Sequence, residues 1–251
     1  MSRWNTSAKA VIRKDMFKVA KQFSKRSKMP TVSKCALMVP ATTCLCVKAA
    51  IEAGRIDKDT HIVAIEKDGQ FIDEIADTLR GLGFRNGVTI VNRCFLTIPK
   101  RYIVNNLQNK IPKIDFVYLD LCGFYCPNML KRFSMLREYG IIADSAPIGY
   151  TSQTADRKNF FKGYYSDDVP YYKFSTIPDT QENSINLTDH FTDNVSDIMG
   201  ERYVVTYGRA YKNARIAAPM ITFMAQPAKR LRVFTTESGS KKSYNMGYVS
   251  A

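Results

Sequence analysis

IDFVYLDLCGFYCP, residues 114–127, decides how the rest of the chain is read. Phe116, Val117, Tyr118, Leu119 and Leu121 form an almost unbroken apolar run around one carboxylate, Asp120. A strand with one wet face would alternate apolar and polar residues. A continuous run is what a strand covered on both faces requires, as in a parallel sheet between two helical layers. The same run then ends on an acid followed by Cys122, Gly123, Phe124 and Tyr125, which reads as a strand leaving the core at a functional rim.

Outward from this stretch the pattern repeats. CALMV (35–39), HIVAIE (61–66), GVTIVN (87–92) and GIIADSA (140–146) read as further buried strands. Between them lie helical segments: CLCVKAAIEAG closed by Gly54, residues 70–82 with Phe71, Ile75, Leu79 and Leu82 on one side, residues 99–110, and PNMLKRFSMLREYG. Regular alternation of strand and helix predicts an α/β fold, a doubly wound, mostly parallel Rossmann-like sheet. RYVVTYGRAY (202–211) and APMITFMAQ (218–226) add a C-terminal antiparallel strand pair. Three regions are expected: a basic N-terminal helical extension (1–34), the α/β domain (35–226) with a tyrosine-rich loop or insertion at 150–190, and a basic C-terminal tail (227–251). In the first, Val11, Ile12, Met16, Val19, Ala20 and Phe23 recur about every 3.6 residues, an amphipathic helix with a basic outer face.

The net charge of +14 on 251 residues is concentrated at the ends. Residues 1–34 hold ten Lys or Arg against Asp15, and residues 227–251 hold five against Glu237. The 192 residues between carry only +1. Clustered cations suit a polyanion, so nucleic acid, DNA or RNA, is the expected partner, with other protein subunits alongside. Lys14, Lys18, Lys21, Lys25 and Arg26 are the candidate contacts on the helix. Trp4, Phe234, Tyr244 and Tyr248 interleave with the charge and offer stacking faces. No run of 18 apolar residues and no secretion signal is present, so a cytoplasmic protein without a membrane span is expected. The six cysteines then read as reduced core thiols, and with His61 and His190 far apart no metal site is expected.

In an open α/β sheet, ligands bind at the carboxyl ends of the strands. The residues there are Pro40-Ala41-Thr42-Thr43, Glu66, Asn92, Asp120 and Asp144. With these residues in this order, the chain resembles the class I S-adenosylmethionine-dependent methyltransferases. The resemblance spans about residues 35–226 and implies a cofactor, S-adenosylmethionine. It implies that Glu66 in HIVAIEKD holds the ribose hydroxyls, and that Asn92 in TIVNRC lies near the adenine. Asp120 in YLDLCG would lie close to the transferred methyl, as the catalytic or methyl-proximal acid. Pro40, Ala41 and Thr42 would form the cofactor turn, and Tyr125 would face the target. One departure is clear: the family's first strand ends on a glycine-rich turn, and VPATTCLC contains no glycine. The loop DLCGFYCP also lacks the paired prolines of base-methylating enzymes. The expected activity is methyl transfer to nucleic acid. The alternative is a catalytically inactive methyltransferase-like nucleic-acid-binding protein, or a subunit of a larger nucleic-acid-processing assembly. For Asp120 the bland alternative is a carboxylate capping the next helix, and for the VPATT threonines it is capping the helix that follows.

Overall fold

The computed structural model describes residues 7–85, 87–124, 127–153, 191–212 and 219–228. The basic tail, the tyrosine-rich segment from 154 to 190, Tyr125 and Cys126 lie outside the described residues.

Helix α1 (Ser7–Arg26) precedes β1 (Cys35–Met38), α2 (Leu45–Glu52), β2 (His61–Glu66), α3 (Ile72–Gly81), β3 (Val88–Asn92) and α4 (Lys100–Asn106). Then come β4 (Phe116–Phe124), α5 (Pro127–Glu138), β5 (Ile148–Gln153), a helical stretch at 191–199, β6 (Tyr203–Lys212) and β7 (Pro219–Pro227). They form one seven-stranded sheet in the order β3-β2-β1-β4-β5-β7-β6. β1 to β5 pair in parallel, and β7 pairs antiparallel with both β5 and β6.

Alternation along the strands sorts the core into two layers. Ala36, Met38, Ile62, Ala64, Phe116 and Tyr118 face one way, onto α1, α2 and α3. Cys35, Leu37, Val63, Ile65, Val117 and Leu119 face the other, onto α4, α5 and the stretch 191–199. Covering on both sides is why these runs are apolar throughout.

Two elements depart from the sequence reading. The fifth strand is not 140–146 but Ile148–Gln153, and Ile142 makes only an isolated bridge to Ile114. IGYTSQ hides its strand character because Thr151 and Ser152 are polar yet buried. Thr151 Oγ1 is satisfied by Tyr118 Oη at 3.0 Å and Thr222 Oγ1 at 2.9 Å, a hydroxyl file running across β4, β5 and β7. Gly149 is required there: a Cβ would come within 2.7 Å of Met224 Cε and 2.9 Å of Tyr118 Cδ2. The second departure is the helical stretch 191–199, whose Phe191, Val195 and Met199 enter the core at four-residue spacing.

Helix α1 packs into the sheet. Met16, Phe17 and Ala20 are fully buried, with the Phe17 ring edge-on to Phe116 and Tyr118 at 5.8 and 5.2 Å between centroids. Burying a Phe and a Met contributes about 1.5–3 kcal/mol each before entropy is counted. Polar groups fix the helix in place as well. Gln226 Nε2 on β7 donates to Ala20 O at 3.2 Å, and Arg209 on β6 pairs with Asp15 at 3.4 Å. The loop after α1 is held by the buried Arg55, which donates to Pro30 O and Thr31 O and lies over the Phe116 ring. Asp115, just ahead of β4, accepts from Ser33 Oγ and from Lys34 N and Cys35 N, which aligns the start of β1.

Candidate active site at the carboxyl edge

The sheet register brings four sequence-named positions into one row. Met38 pairs with Ala64 and with Tyr118, and Ala64 pairs with Ile90. Two residues further along each chain stand Pro40, Glu66, Asn92 and Asp120, with Glu66 and Asn92 themselves direct partners. Pro40 is buried, Glu66 half-buried and Asn92 exposed.

Without glycine, the turn after β1 still takes a glycine-like shape. Ala41 has φ +50° and Cys44 φ +48°, both left-handed. Such conformations cost an L-residue about 1–2 kcal/mol, and they persist where surrounding structure imposes them. Cys44 N donates to Ala41 O at 3.1 Å, and Thr78 Oγ1 from α3 donates to Thr42 O at 3.2 Å. Threonine does not cap α2: the N-cap residue is Cys44, and no side chain caps there. Thr42 is half-buried and Ala41 exposed.

At the β2 end, Glu66 Oε1 accepts from Asp68 N at 2.9 Å, and Asp68 in turn caps the 3₁₀ turn Gly69–Phe71 by accepting from Gln70 N. One oxygen of Glu66 thus shapes its own loop. Asn92 Nδ2 lies 3.2 Å from where a Cβ on Gly69 would sit, so the two loops meet.

On β4 the arrangement differs, and Asp120 does not end the strand as the sequence suggested: β4 continues past a register shift to Phe124. Asp120 Oδ1 is 2.7 Å from Lys9 Nζ, and its Oδ2 accepts from Arg13 Nη2. The three side chains are 6%, 3% and 8% exposed. Asp120 is therefore bound to α1. Burial disfavours the Arg13 charge, but the Asp120 carboxylate, together with nearby Tyr118 and Cys46, outweighs this and raises its pKa. Around the cluster, burial pushes the Cys46 thiol up to about 12 and the Tyr118 phenol well above its ordinary value. Both stay protonated beside the carboxylate.

Sequence reasoning missed Lys9 and Arg13. Their signal was spacing: with Ile12, Met16, Phe17 and Ala20 they fall on the apolar stripe of α1 rather than on its outer face. Of the five basic candidates on that helix, Lys14 pairs with Glu52 at 2.9 Å, Lys18, Lys25 and Arg26 are exposed, and Lys21 is half-buried beside Gly54. Among the described residues no cluster of three or more His, Cys, Asp or Glu could hold a metal ion, and no helix is long and apolar enough to cross a membrane.

Strand order 3-2-1-4-5-7-6 with an antiparallel seventh strand, and helices on both faces, settles the architecture. This is a doubly wound, Rossmann-like α/β fold with a C-terminal antiparallel strand pair. Solved structures similar to the chain include the following three. The O-methyltransferase from Bacillus cereus, in complex with SAH, is 9% identical with a TM-score of 0.48, covering 90% of this chain and 84% of that one. The O-methyltransferase TomG from Streptomyces achromogenes, in complex with SAM, is 13% identical with a TM-score of 0.47, covering 85% and 79%. Trm5b from Pyrococcus abyssi is 10% identical with a TM-score of 0.47, covering 83% of this chain and 48% of that one. No protein-family profile and no curated protein matches the chain.

Proposed function

We propose that the chain is an S-adenosylmethionine-dependent methyltransferase acting on nucleic acid. The observation that carries this is the row Pro40, Glu66, Asn92 and Asp120 at the carboxyl edge of a methyltransferase-type sheet. The residues fit the nucleoside half of the cofactor. Glu66 has a second carboxylate oxygen for vicinal ribose hydroxyls, Asn92 offers an amide at the adenine side, and the left-handed turn at Ala41 shapes the backbone beside them. The cofactor would supply an electrophilic methyl group. The chain's own contribution is alignment and exclusion of water. Asp120 would orient the polar end of the ligand, with Lys9 and Arg13 complementary to its carboxylate. Exposed Lys18, Lys25 and Arg26, together with Lys14 and Lys21, would contact the phosphates.

One observation favours a second reading. Lys9 and Arg13 hold the two oxygens of Asp120, so a sulfonium or ammonium brought to the same carboxylate would compete with two cations. A methyltransferase-like protein that binds nucleic acid without transferring methyl groups would keep such a cluster closed. Calorimetric titration with S-adenosylmethionine and its demethylated product separates the two. The enzyme reading expects one-to-one binding in the micromolar range, and transfer of a radiolabelled methyl to an oligonucleotide. Absent heats up to high micromolar cofactor, with nucleic-acid binding retained, leave the silent reading standing.

A further inference from the structure

The basic ends are not the only concentration of positive charge. Residues 93–114 contain Arg93, Lys100, Arg101, Lys110 and Lys113 and no acid at all. All five are exposed. Lys100 lies 3.9 Å from Glu138, but among the described residues Arg93, Arg101, Lys110 and Lys113 are in no ion pair. Unpaired clustered cations repel one another, a cost that an external polyanion relieves.

Two of these cations line a shaped surface. A groove of about 250 Å³ is lined by Arg93, Pro99, Arg101, Tyr102, Asn105 and Asn106. The Arg93 guanidinium lies over the Tyr102 ring, 5.5 Å from its centroid, and is steadied by donating to Asn92 O at 2.9 Å. Asn106 Nδ2 donates to Tyr102 O at 3.1 Å, which fixes the far wall. Planar guanidinium on aromatic ring is a platform on which an unpaired base can stack. Arg93 and Arg101 can each fork onto a phosphate, and Asn105 adds an exposed amide for a base edge.

Place in the fold adds to the chemistry. Arg93 directly follows Asn92, so the groove opens beside the carboxyl edge. Helix α4 packs through Ile103 and Leu107 into the layer opposite the one that holds α1. A strand gripped at α4 therefore meets a different face from the one that presents Lys18, Lys25 and Arg26.

We infer that the α4 groove is a second nucleic-acid surface, taking a single-stranded segment with phosphates on Arg93 and Arg101 and a base against the Arg93–Tyr102 platform. This rests on the nucleic-acid reading above. The test is fluorescence anisotropy of the full chain with 20-nucleotide single strands, ribo and deoxyribo, over a salt series. Each phosphate contact on a single strand contributes about 0.7 to the slope of log affinity against log salt. The double variant Arg93→Ala/Arg101→Ala should lose at least about tenfold in affinity and about 1.4 in slope. Tyr102→Leu should weaken binding about tenfold with the slope kept. Arg101→Lys should retain the slope, and the melting temperature of the double variant should match that of the wild type, since both arginines are exposed. Binding by the wild type with unchanged affinity and slope in the double variant overturns this surface while leaving the nucleic-acid reading intact. No binding by the wild type sinks both. Preference between the two strands tells RNA from DNA.

Discussion

The two ends of the carboxyl-edge row make a contrast. At β2 and β3, Glu66 and Asn92 are half-buried and exposed, bonded mainly within their own loops. At β4, Asp120 is enclosed by a helix from more than a hundred residues away in sequence, its two oxygens held by two cations. The strands are alike in apolar character and in register. What differs is the covering element: α1 reaches Asp120 on β4. Strand topology therefore places a residue on the ligand edge, and the neighbouring layer decides whether that residue is available.

Four experiments break or sharpen this contrast. The largest effect is expected for Asp120→Ala. It strands two buried cations, so urea unfolding should report a loss of about 3–5 kcal/mol. A triple change of Lys9, Arg13 and Asp120 to Met, Met and Leu removes all the charge together and should recover most of that loss, because replacing a whole buried ion cluster by apolar side chains is often neutral. If the triple variant is as unstable as the single one, the cost is not electrostatic. Next is Glu66→Gln at the open end. Stability should change by less than about 1 kcal/mol, while calorimetry should register a drop of about tenfold or more in cofactor affinity, as a carboxylate acceptor is lost. Equal stability losses at Glu66 and Asp120 would erase the distinction between the two ends.

The third experiment is Ala41→Gly. It should stabilise by about 1 kcal/mol, since φ +50° is free for glycine and strained for alanine. Finally, burial raises the Cys35, Cys44 and Cys46 thiols from 9.0 to about 12. At high pH the unfolded chain releases protons that the folded chain keeps, so these groups make stability fall as pH rises above about 9. At pH 8, mass-mapped alkylation should mark half-exposed Cys94 first and leave these three unmodified until the chain unfolds.

How much of this was legible follows from where each signal is stored. β1 to β4 were readable because covering on both faces writes itself as an unbroken apolar run. β5 was not, because its burial is carried by hydroxyls: Thr151 is acceptable in the core only once Tyr118 and Thr222 are beside it. The row Pro40, Glu66, Asn92 and Asp120 could be named from the strand ends alone, since parallel register aligns them. The closure of Asp120 could not. Lys9 and Arg13 look like two more charges on a basic helix until their shared stripe with Met16 and Ala20 is noticed, and an ion pair spanning 107 residues leaves no local pattern.

Helix α1 has a consequence for how the chain comes into being. Its neighbours include β7, through a bond from Gln226 to Ala20 that joins positions 206 apart. The ribosome delivers the helix about two hundred residues before the strand it docks on. Until β7 emerges Met16 and Phe17 have no completed berth, and until β4 emerges Lys9 and Arg13 have no Asp120. A nascent chain halted before residue 219 should display this helix to proteases, and a finished one should protect it.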